Sequence, residues 1–175
     1  QPDLGLATYS MMLRIVEDLS EIDAAQWNAL RKSTAGDNPF LAYAFLRALQ
    51  DSGCATPATG WRAQFLTLWR EDHLIGALPL YLKSHSWGEF VFDWAWAEAY
   101  AKHGLDYYPK LVASVPFTPV TGARLLAESD AVRAQLIAAA LQFARDAGVS
   151  SLHMLFPPES QALEIAGQVD GRIVE

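Results

Sequence analysis

At 175 residues, 51% hydrophobic and 19% charged, the chain has the length and composition of one globular domain with one core. A formal net charge of −7 and a pI near 5.0 exclude a broad surface for phosphate backbones, so a nucleic-acid partner needs a local basic patch. The single Cys54 excludes an internal disulfide, no Cys/His spacing gives a metal site, and the thiol is expected as small buried filler.

"MLRIVEDL" alternates as a first strand, and Ser20 is expected to cap a helix running through Trp27 and Leu30. In a second helix Asn38 caps, Pro39 takes the first helical position, Leu41, Phe45, Ala48 and Leu49 form the apolar stripe, and Gly53 ends it. "RAQFLTLWR" and "LIGALPLYLK", joined at "EDH", read as an antiparallel hairpin. Pro79 lacks an N–H for the ladder, so the second strand should lie at an edge or carry a bulge there. "LIGALPLYL" is also the longest apolar run, far short of the roughly eighteen residues of a spanning helix. The opening residues do not read as a charged-then-apolar leader, and a cytoplasmic location is expected.

Between Ser84 and Lys110 the chain carries eight of its twenty aromatic rings, interleaved with Glu89, Asp93, Glu98 and Asp106. Strand periodicity puts Glu89 and Asp93 on one face and Phe90, Phe92 and Trp94 on the other, where the rings are expected as core. For the two acids the favoured reading is a solvated outer face. The alternative is a buried pair with one pKa raised, suited to accept an amine proton. His85, between Ser84 and Ser86, reads as a strand-end histidine bonded to backbone, with proton relay as the alternative. Neighbouring strand residues face opposite sides, so a serine triad does not fit. Trp96, Tyr100, Tyr107 and Tyr108 suit either a cleft in which rings stack on sugars or a contact between two halves of one protein.

"PKLVASVPFTPVTGARLL" is extended and broken by three prolines, with Gly122 at a turn and Arg124 placed to clamp a carboxylate or phosphate. Ser129 and Asp130 open the best helix, with Val132, Leu136, Ala140 and Phe143 at helical spacing before Gly148. "SLHMLF" reads as a short buried strand and "PPESQALEIAG" as a last helix. "GQVDGRIVE" then stops at Glu175 on what reads as the start of a strand, so a fragment of a longer protein is expected. The order of elements is a mixed α/β pattern.

That order resembles the GNAT acyltransferase fold, an α/β (α+β) architecture with a mainly antiparallel mixed sheet flanked by helices. "NPFLAYAFLRALQDSGC", "GALPLYLKSHSWGEFVFDWAWAEAY", "YYPKL" and "VPFTPVTGARLL" together resemble the FemAB-like branch of predicted N-acyltransferases, linked to peptidoglycan biosynthesis or recognition. The resemblance implies a bacterial protein about twice this length with two GNAT-like halves, residues 1–175 being a single GNAT-like domain and the first half. The implied reaction joins an aminoacyl or acyl group to an amine of a peptidoglycan precursor. Aminoacyl-tRNA or acyl-CoA is the implied donor, tRNA being possible only with the second half, and no other cofactor is required.

Under that reading Asp93 and His85 are the expected catalytic groups. Lys83, Glu89, Trp94, Trp96, Tyr107, Tyr108, Lys110, Thr118, Thr121 and Arg124 are the expected substrate contacts. CoA is disfavoured, because acetyl-CoA enzymes of this fold hold pyrophosphate on a glycine-rich loop before the long helix. Here "TGARLLAESDAVRAQL" has one glycine and places Glu128 and Asp130 where the phosphates would sit. A recognition module that binds peptidoglycan or a partner without chemistry, and a CoA-dependent acetyltransferase, are the alternatives.

Overall fold

The computed structural model describes residues 10–169; the strand start expected beyond Val169 lies outside them. Among the described residues eight strands form two four-stranded sheets. β1 (Met11–Val16), β3 (Phe65–Arg70), β4 (His73–Leu78) and β7 (Leu126–Ala127) make the first, ordered β1-β3-β4-β7. β2 (Trp61–Ala63), β5 (Leu80–Lys83), β6 (Lys110–Ala113) and β8 (Leu152–Met154) make the second, ordered β2-β5-β6-β8. All pairs are antiparallel except β6 with β8.

The expected hairpin is present, but each arm is split. Pro79 sits opposite the Gln64–Phe65 junction and has no N–H to donate, so β4 gives way to β5 there. A bond from the Gln64 N–H to the Leu80 carbonyl at 2.8 Å holds the crossing together. One proline thus divides a long strand between two sheets.

Helices α1 (Ala24–Ala35) and α2 (Tyr43–Asp51) cover one face of the first sheet, and α4 (Asp130–Asp146) covers the other. Alternation in β3 sends Phe65 and Trp69 toward α1 and α2, and Leu66 and Leu68 toward α4. α4 starts as expected, with the Ser129 side chain accepting from the Val132 N–H. It also lies close: a Cβ added at Gly76 would stand 2.7 Å from the Val132 side chain. α5 (Glu159–Gln168) follows β8.

Several local expectations are corrected. Ser20 falls in a short 3-10 turn, and Asp23 caps α1 through the Gln26 N–H at 2.9 Å, a carboxylate at the N-terminus being the stronger cap. Asn38 caps only the 3-10 turn Pro39–Leu41; α2 begins at Tyr43, whose N–H bonds to Asn28 of α1, and Leu46 is its most buried side chain. Cys54 is exposed rather than buried.

The largest correction concerns residues 84–93, which form no strand. Gly88 and Phe90 both take positive φ, 83° and 60°, breaking the extended path, and α3 (Trp94–Lys102) starts at the residue expected to end a strand. Phe90, Phe92 and Trp94 are therefore exposed, while Glu89 and Asp93, expected on a solvated face, are 3% and 4% exposed. The physical cause is the pair of lysines described next.

Candidate active site

The second sheet has an apolar face and a polar face. Leu80, Leu82, Leu111, Ala113, Leu152 and Met154 pack toward α4. On the other face the register sets Trp61, Lys83 and Lys110 in one row across β2, β5 and β6, with Tyr81 and Val112 paired in the next row. Lys83 and Lys110 are both fully buried, directly opposite one another. Two like charges without partners would be intolerable there, and residues 84–93 fold over them to supply carboxylates.

Lys110 Nζ donates to Glu89 Oε2 at 2.8 Å and also to Asp93 Oδ2. Asp93 is saturated further: Tyr107 donates to Oδ2 at 2.8 Å, and Ser86 to Oδ1 at 2.5 Å. The half-buried Tyr108 hydroxyl lies 2.7 Å from Ser86 Oγ. A continuous hydrogen-bonded chain therefore runs from Tyr108 through Ser86, Asp93 and Lys110 to Glu89. Among the described residues Glu89 Oε1 has no partner. Lys83 donates to the Trp87 carbonyl at 3.0 Å and lies 3.5 Å from the centre of the Trp61 ring.

These surroundings push the two acids apart. For Glu89, burial outweighs the bond from Lys110 and the charge of Lys83, raising its pKa above the ordinary glutamate value. For Asp93, burial is overcome by the combined bonds from Lys110, Ser86 and Tyr107, and the pKa is lowered. Burial raises both Tyr107 and Tyr108, so each stays a neutral hydroxyl. His153 on β8, whose Nε2 lies 2.8 Å from Ser151 Oγ, is lowered to about 4 by burial and by the Lys110 charge, and is neutral at physiological pH.

Burial lowers Lys83 to about 8 from 10.5, against the pull of Glu89 and with help from Lys110. The unfolded chain then binds this proton up to about pH 10.5 while the folded chain releases it near 8, so stability rises with pH across that window. Lys83→Met should remove the rise; urea unfolding of both proteins at several pH values checks it, and parallel curves would refute the assignment.

Of the expected site residues, the fold thus gathers Lys83, Glu89, Asp93, Tyr107, Tyr108 and Lys110. Trp94 and Trp96 lie on the surface outside the cluster, each 61% exposed. His85 accepts from the Trp87 N–H at 3.3 Å, its pKa lowered by burial and the Lys83 charge, and it bonds to neither carboxylate. Thr118 bonds its own loop at the Pro116 carbonyl. Thr121 lines a separate cavity of about 550 Å³ with Thr34, Asn38, Phe40, Val120 and Pro158.

Arg124 is not aimed at a ligand. Its guanidinium donates to the carbonyls of Leu155 (2.9 Å), Val120 (2.8 Å) and Ala123 (3.4 Å), and burial lowers its pKa to about 10. Gln161 completes this plug, accepting from the N–H groups of Arg124 and Leu125 and donating to the Leu125 carbonyl. Sequence reasoning did not assign Ser86, Trp61 or Gln161, because the partners that give them their roles (Asp93 and Tyr108, Lys83, and the Arg124–Leu125 backbone) meet them only in the fold. Among the described residues no three His, Cys, Asp or Glu side chains gather as a metal site, and no helix is long and apolar enough to cross a membrane.

Residues 18–171 match the FemAB-like family, described as peptidoglycan biosynthesis/recognition. The chain belongs to that family. No curated protein sequence matches this FemAB-like chain. Its fold is that of the GNAT acetyltransferases. Aminoglycoside N-acetyltransferase AAC(6′)-Iy in complex with CoA superposes with a TM-score of 0.50 at 15% identity, over 95% of this chain and 93% of that one. The same enzyme with a bisubstrate analogue, CoA-S-monomethyl-acetylneamine, gives 0.50 and 15% over 95% and 96%.

The FemAB-like chain does not fit CoA at the equivalent place. At the start of α4 the Ser129 side chain occupies the Val132 N–H, and Asp130 together with the Arg70-paired Glu128 puts carboxylates where a pyrophosphate would sit.

Proposed function

We propose that this FemAB-like chain carries the amine-activating site of an N-acyltransferase that acts on an amine of a peptidoglycan precursor. The observation that supports it most is the hydrogen-bonded chain from half-buried Tyr108 to Glu89, a buried carboxyl held above its ordinary pKa. The Ser86 hydroxyl donates to Asp93, so the Tyr108 hydroxyl donates to Ser86 and turns its lone pairs outward to accept from an amine.

As the amine nitrogen attacks the acyl carbon, its proton enters at Tyr108 while the Tyr108 and Ser86 protons move one step inward to Asp93. Lys110 gives one to Glu89 Oε2, and Asp93, protonated on Oδ1, turns its carboxyl about Cβ–Cγ to deliver that proton to Lys110. Each relay group ends with the protons it began with, and the net transfer is one proton from amine to Glu89. The tetrahedral adduct collapses with loss of the donor's leaving group. Orientation of amine and ester supplies the larger part of the acceleration.

The acids before α4 disfavour a CoA thioester there, which leaves an aminoacyl ester, as on tRNA, as the proposed donor. With a net charge of −7, tRNA contact falls to a second GNAT-like half of the same protein. The exposed rings around Trp94 favour one other reading, a recognition module that binds peptidoglycan without chemistry. Full-length protein is incubated with a muropeptide amine and either aminoacyl-tRNA or acetyl-CoA, and products are weighed by mass spectrometry. Added aminoacyl mass with tRNA alone is expected. Muropeptide binding with no product from either donor would replace the enzyme by the module.

A further inference from the structure

Arg124 is a buried cation without a negative partner. It is 1% exposed, and among the described residues its guanidinium meets only neutral carbonyls. Burial is the sole cause of its lowered pKa, with no ionised group near enough to act against it. Carbonyls satisfy the donors of such a group but leave its charge uncompensated, which is costly inside a protein. The nearby Arg31 differs: it donates to the Asn38 carbonyl at 3.0 Å and has Asp37 as a partner at 3.8 Å.

The unbalanced charge stands directly behind the wall of the cavity of about 550 Å³ that Thr121 lines. The Val120 and Ala123 carbonyls, which accept from Arg124, belong to residues of that wall. Between them Gly122 keeps the wall thin, since a Cβ there would stand 3.5 Å from Arg124 Nη1 and would overlap Asn38 Nδ2. Asn38 Oδ1 is taken up by the Phe40 N–H at 3.0 Å, which leaves Nδ2 at Gly122 as a donor with no acceptor among the described residues. The Thr121 hydroxyl is exposed and bonds to none of them either. Phe40, Pro39, Val120 and Pro158 give the cavity apolar sides, and no side chain lining it is charged.

We infer that this cavity binds the C-terminal carboxylate of a peptide, one oxygen accepting from Asn38 Nδ2 and the other from the Thr121 hydroxyl, with Arg124 as the buried counter-charge behind Gly122. Arg124 acts without touching the ligand: it supplies the positive field and engages two carbonyl oxygens of the wall that would otherwise repel an anion. Two neutral donors match the two oxygens of a carboxylate. A phosphate is ordinarily held by a guanidinium or ammonium directly, or by the N–H groups of a helix start, and the lining offers neither. The volume lies within the roughly 300–1,000 Å³ of small-ligand sites, so it also admits the terminal side chain, against Phe40 and the prolines. This deepens the acyl-transfer reading and rests on it only for the identity of the peptide, which would be that of the amine acceptor itself.

Calorimetric titration of the full-length protein with N-acetyl-alanyl-alanine, its C-terminal amide, acetate and inorganic phosphate tests this. Saturable binding of the dipeptide acid is expected, with the amide and acetate at least about tenfold weaker, the scale of a lost hydrogen bond to a charged group. Thr121→Val and Gly122→Ala should each weaken the acid about tenfold, the second because its methyl pushes the Asn38 amide aside. Gly122 has no positive φ and Thr121 is exposed, so both variants should melt with the parent. Arg124→Gln should erase the preference for acid over amide; should it fail to fold, the two wall variants still decide. Equal binding of acid and amide, phosphate binding tighter than the dipeptide acid, no binding of the acid, or wall variants without effect would each overturn the inference. Binding intact in a protein that transfers no acyl group would sink the relay alone, whereas transfer without dipeptide binding would sink only this site.

Discussion

Lys110→Met lowers the unfolding free energy by about 3–5 kcal/mol, the loss typical when one member of a buried ion cluster is removed. The substitution keeps the length of the side chain and its apolar stem, so packing on β6 changes little. The charge is what is lost: Glu89 Oε2 and Asp93 Oδ2 both depend on Lys110 Nζ, and all three side chains are nearly or wholly sealed from water. A small domain is stable by only about 5–15 kcal/mol, so the variant should unfold at far lower urea than the parent. Adding Glu89→Gln to Lys110→Met removes one stranded charge and should recover part of the loss. Should the single variant fail to accumulate, the double variant still reads the coupling. Equal stabilities of Lys110→Met and parent would mean the carboxylates are not held as described.

Asp93→Asn should cut acyl transfer about 10²–10⁴-fold, the range for loss of a positioned proton-transfer group. An asparagine oxygen in the Oδ1 position still accepts from Ser86, which keeps that anchor of the loop over the lysines, while the amide nitrogen in the Oδ2 position no longer accepts from Tyr107 or Lys110 and the side chain takes up no proton. The defect should therefore fall on kcat with KM for the amine little changed, because Asp93 is buried and touches no substrate directly. Circular dichroism and melting of the variant separate this from misfolding. Rate loss accompanied by an equal rise in KM would place Asp93 in binding and not in the relay.

Much of the scaffold was legible because it rests on local chemistry. The Ser129 cap, the spacing of Val132, Leu136 and Ala140 along α4, and the break at Pro79 all depend on residues near one another in sequence. The segment 84–93 was misread for the opposite reason. Its alternation of acids and rings matches a half-buried strand, yet its path is set by Lys83 and Lys110, which become neighbours only when β5 pairs with β6. Once two cations are buried on one face, the carboxylates must turn inward and the rings are left outside. The sequence marked six of the cluster residues by type and place. It could not assign Ser86, whose partner Asp93 lies seven residues on through a turn, nor could it foresee that Arg124 would spend its donors on the backbone of its own fold.

The central claim is that the amine's proton finishes on Glu89, and the pH dependence of kcat/KM for the amine acceptor, in parent and in Glu89→Gln, tests it most directly. In the parent the acid limb should fall with an apparent pKa above the glutamate value of 4.5, because burial raises this group. In Glu89→Gln that limb should vanish and the residual rate be low. The same acid limb in both proteins would place the proton elsewhere and contradict the relay.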